Sequence, residues 1–95
     1  MNVSGKMVIK KFEHEKFDSF STCIFSKNKD GEYVNLYAKV KFAKDCQPPK
    51  KGYDKNNRKE IYVKDAFLSC EEYIRDKGRY KEHIVNPVIV VTDYE

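Results

Sequence analysis

Ninety-five residues suffice for one domain with a modest core, so we expect a single domain over residues 1–95. The formal charge of +4 and the pI near 8.9 favour an acidic partner such as nucleic acid. The three cysteines form no C-x-x-C pair, and no apolar run is long enough for a membrane span or a secretory leader. These features argue against a disulfide scaffold and a membrane protein, and we expect a cytoplasmic chain.

The N-terminal part of the chain predicts two strands. After a loose start at residues 1–5, residues 6–17 predict a strand, with a phase change between Ile9 and Phe12 that is typical of a bulge or bend. Residues 20–26 are rich in β-branched and aromatic side chains and predict a second strand.

The third predicted strand, residues 33–42, alternates more cleanly than any other segment. Its even positions are apolar, whereas its odd positions include Tyr33, Tyr37, Lys39 and Lys41. Rings that stack on bases, beside ammonium groups that contact phosphates, are what a groove for single-stranded nucleic acid requires. The alternative is an ordinary solvated strand face, where tyrosine and lysine are common.

The sequence NKDG between the second and third strands predicts a hairpin turn. Counting back from this turn places Phe25 opposite Leu36 or Val34, which belong to the apolar row. By the same parity, Cys23 faces the core and Thr22 lies on the open face.

Residues 43–59 break the alternation with two prolines, a glycine and a cluster of basic side chains that includes Lys50 and Lys51. No periodic apolar pattern survives here, so the sequence predicts a long loop. Two interpretations are open. The loop is either a mobile basic flap that closes over a phosphate backbone, with Tyr53 available to stack, or a solvated connector.

The C-terminal part begins with a predicted fourth strand, residues 60–68, whose second face carries Tyr62 and Lys64. Residues 69–78 fit two structures: a short helix that begins with a capping box, or a continued strand that turns at the sequence DKG and returns. Residues 87–93 contain the apolar run VIVV, which predicts a buried or sheet-closing strand.

The run IYVKDAFLSCEEYIRDKGRYKEHIV, residues 61–85, resembles part of the bacterial and phage single-stranded-DNA-binding proteins that have the oligonucleotide/oligosaccharide-binding (OB) fold. In that family a hydrophobic-Tyr-Val strand ends in an aromatic residue and is followed by an Asp-Lys-x-Gly-like tip and a basic-aromatic return. The resemblance implies a hairpin at residues 69–78. It also implies an all-β, five-stranded Greek-key barrel whose hairpin protrudes between strands four and five, with the basic loop in place of the family's helix.

The strand pattern, the basic loop and the resemblance together predict a groove for single-stranded DNA. Its residues would come from the third and fourth strands, the hairpin and the loop: Tyr33, Tyr37, Lys39, Lys41, Lys50, Lys51, Tyr62, Lys64, Tyr73, Arg75, Arg79, Tyr80 and Lys81. By analogy with the family, the protein self-associates as a dimer or higher oligomer and acts in replication or recombination. A short chain without the acidic tail of the cellular proteins resembles a minimal protein of a phage or mobile element.

Motifs for catalysis and metal binding are absent from the sequence. His14 and His83 lie far apart, with no Cys or carboxylate at metal-ligand spacing. There is no phosphate-binding Gly-rich motif and no nucleophile elbow. We therefore expect no enzyme, no metal and no cofactor.

Three hypotheses of function follow. The first is binding of single-stranded DNA with little sequence preference. The second is a small phage or mobile-element protein that binds and inhibits a host or replication protein, with the same tyrosines as interface anchors. The third is an RNA-binding barrel of the cold-shock type. An inhibitor should bind its partner at a salt concentration that abolishes oligonucleotide binding, and RNA and DNA of the same sequence separate the third hypothesis from the first.

Overall fold

A computed structural model describes residues 4–95, and the five-stranded all-β prediction is confirmed. The strands are β1 (Gly5–Glu13), β2 (Asp18–Lys29), β3 (Glu32–Phe42), β4 (Arg58–Asp76) and β5 (Lys81–Tyr94). The loose start predicted at residues 1–5 lies largely outside the described residues, and β1 already begins at Gly5. No helix in residues 4–95 has the length and apolar character needed to cross a membrane.

The five strands form one sheet that closes on itself in the order β1-β2-β3-β5-β4. Neighbouring strands are antiparallel except β3 and β5, which run parallel from the pair Lys39 and Val88 to the pair Phe42 and Val91. Side chains that point into the closed sheet make the core, and burying them is the main force that closes it. The buried core residues are Ile9, Phe20, Ala38, Val40, Ile61, Val63, Ala66, Ile89 and Val91.

Two pairs of strands continue beyond the closed part of the sheet. The β2–β3 arm, residues 25–36, stays paired to its turn, and the β4–β5 arm, residues 70–87, stays paired as far as Asp76 and Lys81. Because β3 and β5 enter the closed sheet in parallel, both arms project from the same end of it. Residues 69–76 are thus strand, not the short helix that the residues alone left open.

The β2–β3 arm has no core beneath it. Val34 and Leu36 are 49% and 52% exposed, although Ala38 and Val40 in the same row are buried. The apolar row predicted in β3 therefore faces a core only where the strand lies in the closed sheet.

A β-bulge in β2 reverses part of the predicted register. Phe25 lies opposite Leu36 as predicted, but the ladder shifts between Cys23 and Phe25. Thr22 is buried as a result, and its hydroxyl donates to the carbonyl of Val8 over 2.8 Å. Cys23 is exposed. The predicted faces of Cys23 and Thr22 are wrong because an extra residue in one strand inverts the parity of those beyond it.

The structure shows no bulge in β1, where the sequence predicted a bulge or bend. The ladder between β1 and β2 is unbroken from Ile9 to Glu13, so Ile9 points inward and Phe12 outward. Phe12 is 42% exposed. The phase change in the sequence therefore marks an aromatic side chain on the outer face.

The segment between β3 and β4 packs across the closed sheet. Cys46 and Tyr53 contact the core, and the Tyr53 hydroxyl donates to the carbonyl of Pro49 over 2.7 Å. The ammonium group of Lys11 lies 4.5 Å from the centre of the Tyr53 ring, and burial raises the pKa of the Tyr53 phenol. Because this ring already packs within the protein, the structure favours the interpretation of the segment as a connector.

We expect Cys46 to react most slowly of the three cysteines with a thiol reagent in the native protein. Cys23 and Cys70 are exposed, whereas Cys46 packs against the core, and burial followed by the charge of Asp93 raises the pKa of its thiol. A higher pKa leaves less of the reactive thiolate at any pH below it. Mass spectrometry after brief N-ethylmaleimide treatment measures the three rates. Unfolding in urea should equalise them, and equal rates in the native protein would contradict this packing.

Candidate nucleic-acid interface

A groove, which we call the outer groove, crosses the outward face of β1, β2 and β3. Its larger part has a volume of about 860 Å³. Basic, aromatic and small side chains line this part, including Lys6, Val8, Lys10, Phe12, Ser21, Cys23, Tyr37 and Arg58. The adjoining part shares Phe12, Ser21 and Tyr37 and continues to Lys39, to His14 and Phe17 after β1, and to Glu71, Asn86 and Pro87 of the β4–β5 arm.

The strand register aligns cations across this groove. Arg58 pairs with Lys10, Lys10 with Ser21, and Ser21 with Lys39, so one row crosses β4, β1, β2 and β3. Paired residues in neighbouring strands point to the same face, about 5 Å apart. Three of the four positions in this row are basic, which makes a track of positive charge at right angles to the strands.

One end of the groove carries three cations that form no ion pair within the described part of the chain. No acid among residues 4–95 forms an ion pair with Lys6, Lys10 or Arg58. Glu60 follows Arg58 in the outward row of β4 but does not line the groove. Asp54 lies close to Arg58: its carboxylate accepts from the Arg58 backbone N–H over 3.0 Å, and this hydrogen bond and the Arg58 charge help to lower the pKa of the Asp54 carboxyl. The side chains of all three cations nevertheless form no ion pair with the described residues and can contact an anionic ligand.

Two exposed rings line both parts of the groove, and a third, that of Phe17, lines the adjoining part. Tyr37 is 57% exposed and lines both parts, and Phe12 also lines both. The ammonium group of Lys10 lies 5.4 Å from the centre of the Phe12 ring. Aromatic surface and positive charge thus alternate along the groove, as in proteins that stack bases while contacting phosphates.

The other end of the groove holds a carboxylate between two lysines. Oε1 of Glu71 lies 3.1 Å from Nζ of Lys39 and 2.8 Å from Nζ of Lys41. Hydrogen bonds from Lys41 and then Lys39 hold the pKa of the Glu71 carboxyl below its ordinary value. This end therefore has less net positive charge than the end with Lys6, Lys10 and Arg58.

Some of the sequence-predicted residues converge on this groove. Tyr37 and Lys39 line it. Lys41 forms an ion pair with Glu71, which also lines it. Tyr73 and Arg75 follow Glu71 at alternate positions of β4 and so extend from its face along the β4–β5 arm.

Other predicted residues lie outside the groove lining. Tyr62 is opposite Lys6 at the edge of the groove, and Lys64 is ion-paired with Glu95 at 3.1 Å. The rest lie near the ends of the arms or in the segment after β3. They are Tyr33 at the far end of β3, Arg79, Tyr80 and Lys81 around the end of the β4–β5 arm, and the exposed Lys50 and Lys51.

The basic and aromatic groups of β1 were missed by the sequence prediction, which included Arg58 only as one of the basic residues of the loop between β3 and β4. Lys6, Val8, Lys10 and Phe12 occupy alternate positions of β1, so period two was present as a signal. The prediction of a bulge or bend between Ile9 and Phe12 hid it, because it interrupted the alternation at that point.

No family model, curated protein or solved structure matches this chain significantly. The class that the described residues define is a five-stranded all-β protein with a basic and aromatic groove on one face.

Proposed function

We propose that this protein binds single-stranded DNA with little sequence preference. The observation that carries the proposal is the meeting of three cations, Lys6, Lys10 and Arg58, with the rings of Phe12 and Tyr37 in one groove. A positive groove with aromatic stacking positions is the arrangement used by sequence-tolerant single-strand binders, because every base has a π-face.

We also propose that the fold is an OB-type Greek-key barrel with a protruding hairpin. OB folds bind oligonucleotides on the face of strands two and three, between the loop after strand one and the loop between strands four and five. The outer groove covers β2 and β3, with Phe17 after β1 and Asn86 of the β4–β5 arm on its borders. The segment between β3 and β4 would then take the place of the family's helix.

In this proposal the aromatic residues of the groove bind bases and the basic residues bind phosphates. Bases stack on Tyr37 and Phe12, and each stacked base contributes about 1–3 kcal/mol. Phosphates lie along Lys6, Lys10 and Arg58 and release counterions, so log affinity falls by about 0.7 per neutralised phosphate for each unit of log salt concentration.

The biological setting completes the proposal and rests on the family resemblance. The protein would act in the cytoplasm in replication or recombination of a phage or mobile element, as a dimer or higher oligomer. It would work as a binding protein without enzymatic activity, metal or cofactor. RNA is the competing ligand, and matched RNA and DNA oligonucleotides distinguish the two.

A second candidate function is binding and inhibition of a host protein. The exposed apolar row of the β2–β3 arm favours it, since Phe25, Val34 and Leu36 are each about half exposed. Exposed apolar side chains that lie together are typical of protein interfaces. Binding of such a partner should persist at a salt concentration that abolishes oligonucleotide binding.

We expect a saturating dT oligonucleotide of about 15 nucleotides to protect Cys23, but not Cys70, from N-ethylmaleimide. Cys23 lines the groove opposite Tyr37, whereas Cys70 lies on β4 with its side chain on the face opposite that of Glu71. Both thiols are exposed in the free protein, so Cys70 is the control for any change in reagent reactivity that does not depend on the groove. Fluorescence anisotropy establishes saturation. Protection of neither thiol, or of both equally, at saturation would contradict binding in this groove.

A further inference from the structure

We propose that Glu71 is a specificity-determining residue of the outer groove. Its carboxylate reserves the end at Lys39 and Lys41 for bases and disfavours phosphates there, so that the protein discriminates a single strand from a duplex or another polyanion. This inference rests on the proposed function and assigns a role to an acidic residue in a groove that otherwise attracts anions.

The geometry places the carboxylate where a phosphate would bind. One oxygen of Glu71 accepts from Lys39 over 3.1 Å and lies 2.8 Å from the ammonium nitrogen of Lys41. The Glu71 side chain is 31% exposed, and it lines the groove together with Tyr37 and Asn86. A phosphate that approaches Lys39 or Lys41 is therefore repelled by the Glu71 carboxylate, which is ion-paired with both lysines.

The two ends of the groove differ in net charge, and this difference separates the place for phosphates from the place for bases. At Lys6, Lys10 and Arg58, no acid among the described residues forms an ion pair with the cations. At Lys39 and Lys41, two ammonium groups and one carboxylate leave a single net positive charge. A phosphate chain is thus attracted more strongly along β1 and β4 than along β3.

A single strand can satisfy both ends at once. Its backbone follows the cations of β1 and β4 while its unpaired bases turn toward Tyr37 and Glu71. A neutral base is not repelled by the carboxylate, and the exocyclic amino groups of bases can donate to it.

A duplex cannot present phosphates to one end of the groove and unpaired bases to the other. Its bases are paired inside, and its outer surface carries closely spaced phosphates. Phosphates would therefore lie beside Glu71 as well as beside Lys10. Repulsion between two unit charges about 6 Å apart, with a dielectric constant near or somewhat below that of water, corresponds to roughly three- to tenfold in affinity at low salt.

The test compares Glu71→Gln with Glu72→Gln, which removes the same charge one residue away. Glu72 points to the other face of β4, where it lies 3.1 Å from His83. Anisotropy at low salt measures a labelled dT single strand, a duplex of the same length, and heparin as a polyanion without bases. We expect Glu71→Gln to tighten duplex and heparin binding by roughly three- to tenfold and single-strand binding by less than about twofold.

Two further results are expected if the charge itself is responsible. Glu72→Gln should change all three ligands by one small common factor, and Glu71→Asp should keep the discrimination because it keeps the carboxylate. Thermal unfolding of Glu71→Gln verifies that the variant is folded.

The outcomes separate this inference from the proposed function. If the wild type binds the single strand but Glu71→Gln and Glu72→Gln shift single strand and duplex by equal factors, only the role of Glu71 is overturned. If the wild type binds no single strand even at low salt, the proposed function is lost and the role of Glu71 with it.

Discussion

Tyr37→Ala is expected to weaken binding of a short dT oligonucleotide by about 1–3 kcal/mol, or roughly 5- to 150-fold. Tyr37 lines both parts of the outer groove, so its loss removes a stacking surface at the point where they meet. The ring is 57% exposed and lies outside the core, and the variant should remain folded. Fluorescence anisotropy at constant low salt measures the change, and circular dichroism verifies the fold.

Tyr33→Ala is the matched control. Tyr33 lies four residues earlier on the same face of β3, is 72% exposed and does not line the groove. We expect it to change affinity by less than about 0.5 kcal/mol, and Tyr37→Phe to stay close to the wild type because it keeps a π-face. Equal losses for the two alanine variants would locate binding on the whole open row of β3, as the sequence alone predicted.

The strands were predictable because period-two alternation is local information. In β3 the pattern of residues 33–42 matches the observed strand closely. The burial of each side chain was not predictable from that pattern, because burial depends on where the sheet closes. Leu36 and Ala38 follow the same alternation, yet only Ala38 lies inside the closed sheet.

Register was predictable only as far as the first bulge. Counting from the hairpin turn gave Leu36 or Val34 as the partner of Phe25, and Leu36 is the partner observed. The count failed at Cys23 because a bulge has no fixed signature in one sequence. In β1 the opposite error occurred, since a bulge was inferred where the ladder is regular. The error in β2 exchanged the inner and outer faces of Cys23 and Thr22, and both errors concern residues of the candidate groove.

The groove itself depends on neighbours that are distant in the chain. Arg58, Lys10 and Lys39 form one row because β4, β1, β2 and β3 are adjacent in the closed sheet. The order of strands does not follow from the alternation within them, so the sequence alone gave no reason to group these residues. The Glu71 contact with Lys39 spans 32 positions and was missed for the same reason.

The double variant Lys10→Gln/Arg58→Gln is expected to reduce the salt dependence of single-strand binding. Each lysine or arginine that neutralises a phosphate on a single strand contributes about 0.7 to the slope of log affinity against log salt concentration, so the slope should fall by about 1.4. Lys10 and Arg58 are paired across β1 and β4 and line the same part of the groove. Affinity at low salt should fall by roughly 10- to 100-fold, while the two affinities converge as salt rises.

Lys50→Gln/Lys51→Gln removes the same charge from the chain and serves as the control. Both lysines are exposed in the segment between β3 and β4, and neither lines the groove. Titrations at four or more salt concentrations should give this variant the slope of the wild type, with only a small loss of affinity from the lower net charge. If both double variants lowered the slope equally, the phosphates would follow the net charge of the protein and not the cations of β1 and β4. A reduced slope in the first variant alone would place the backbone of the single strand along Lys10 and Arg58.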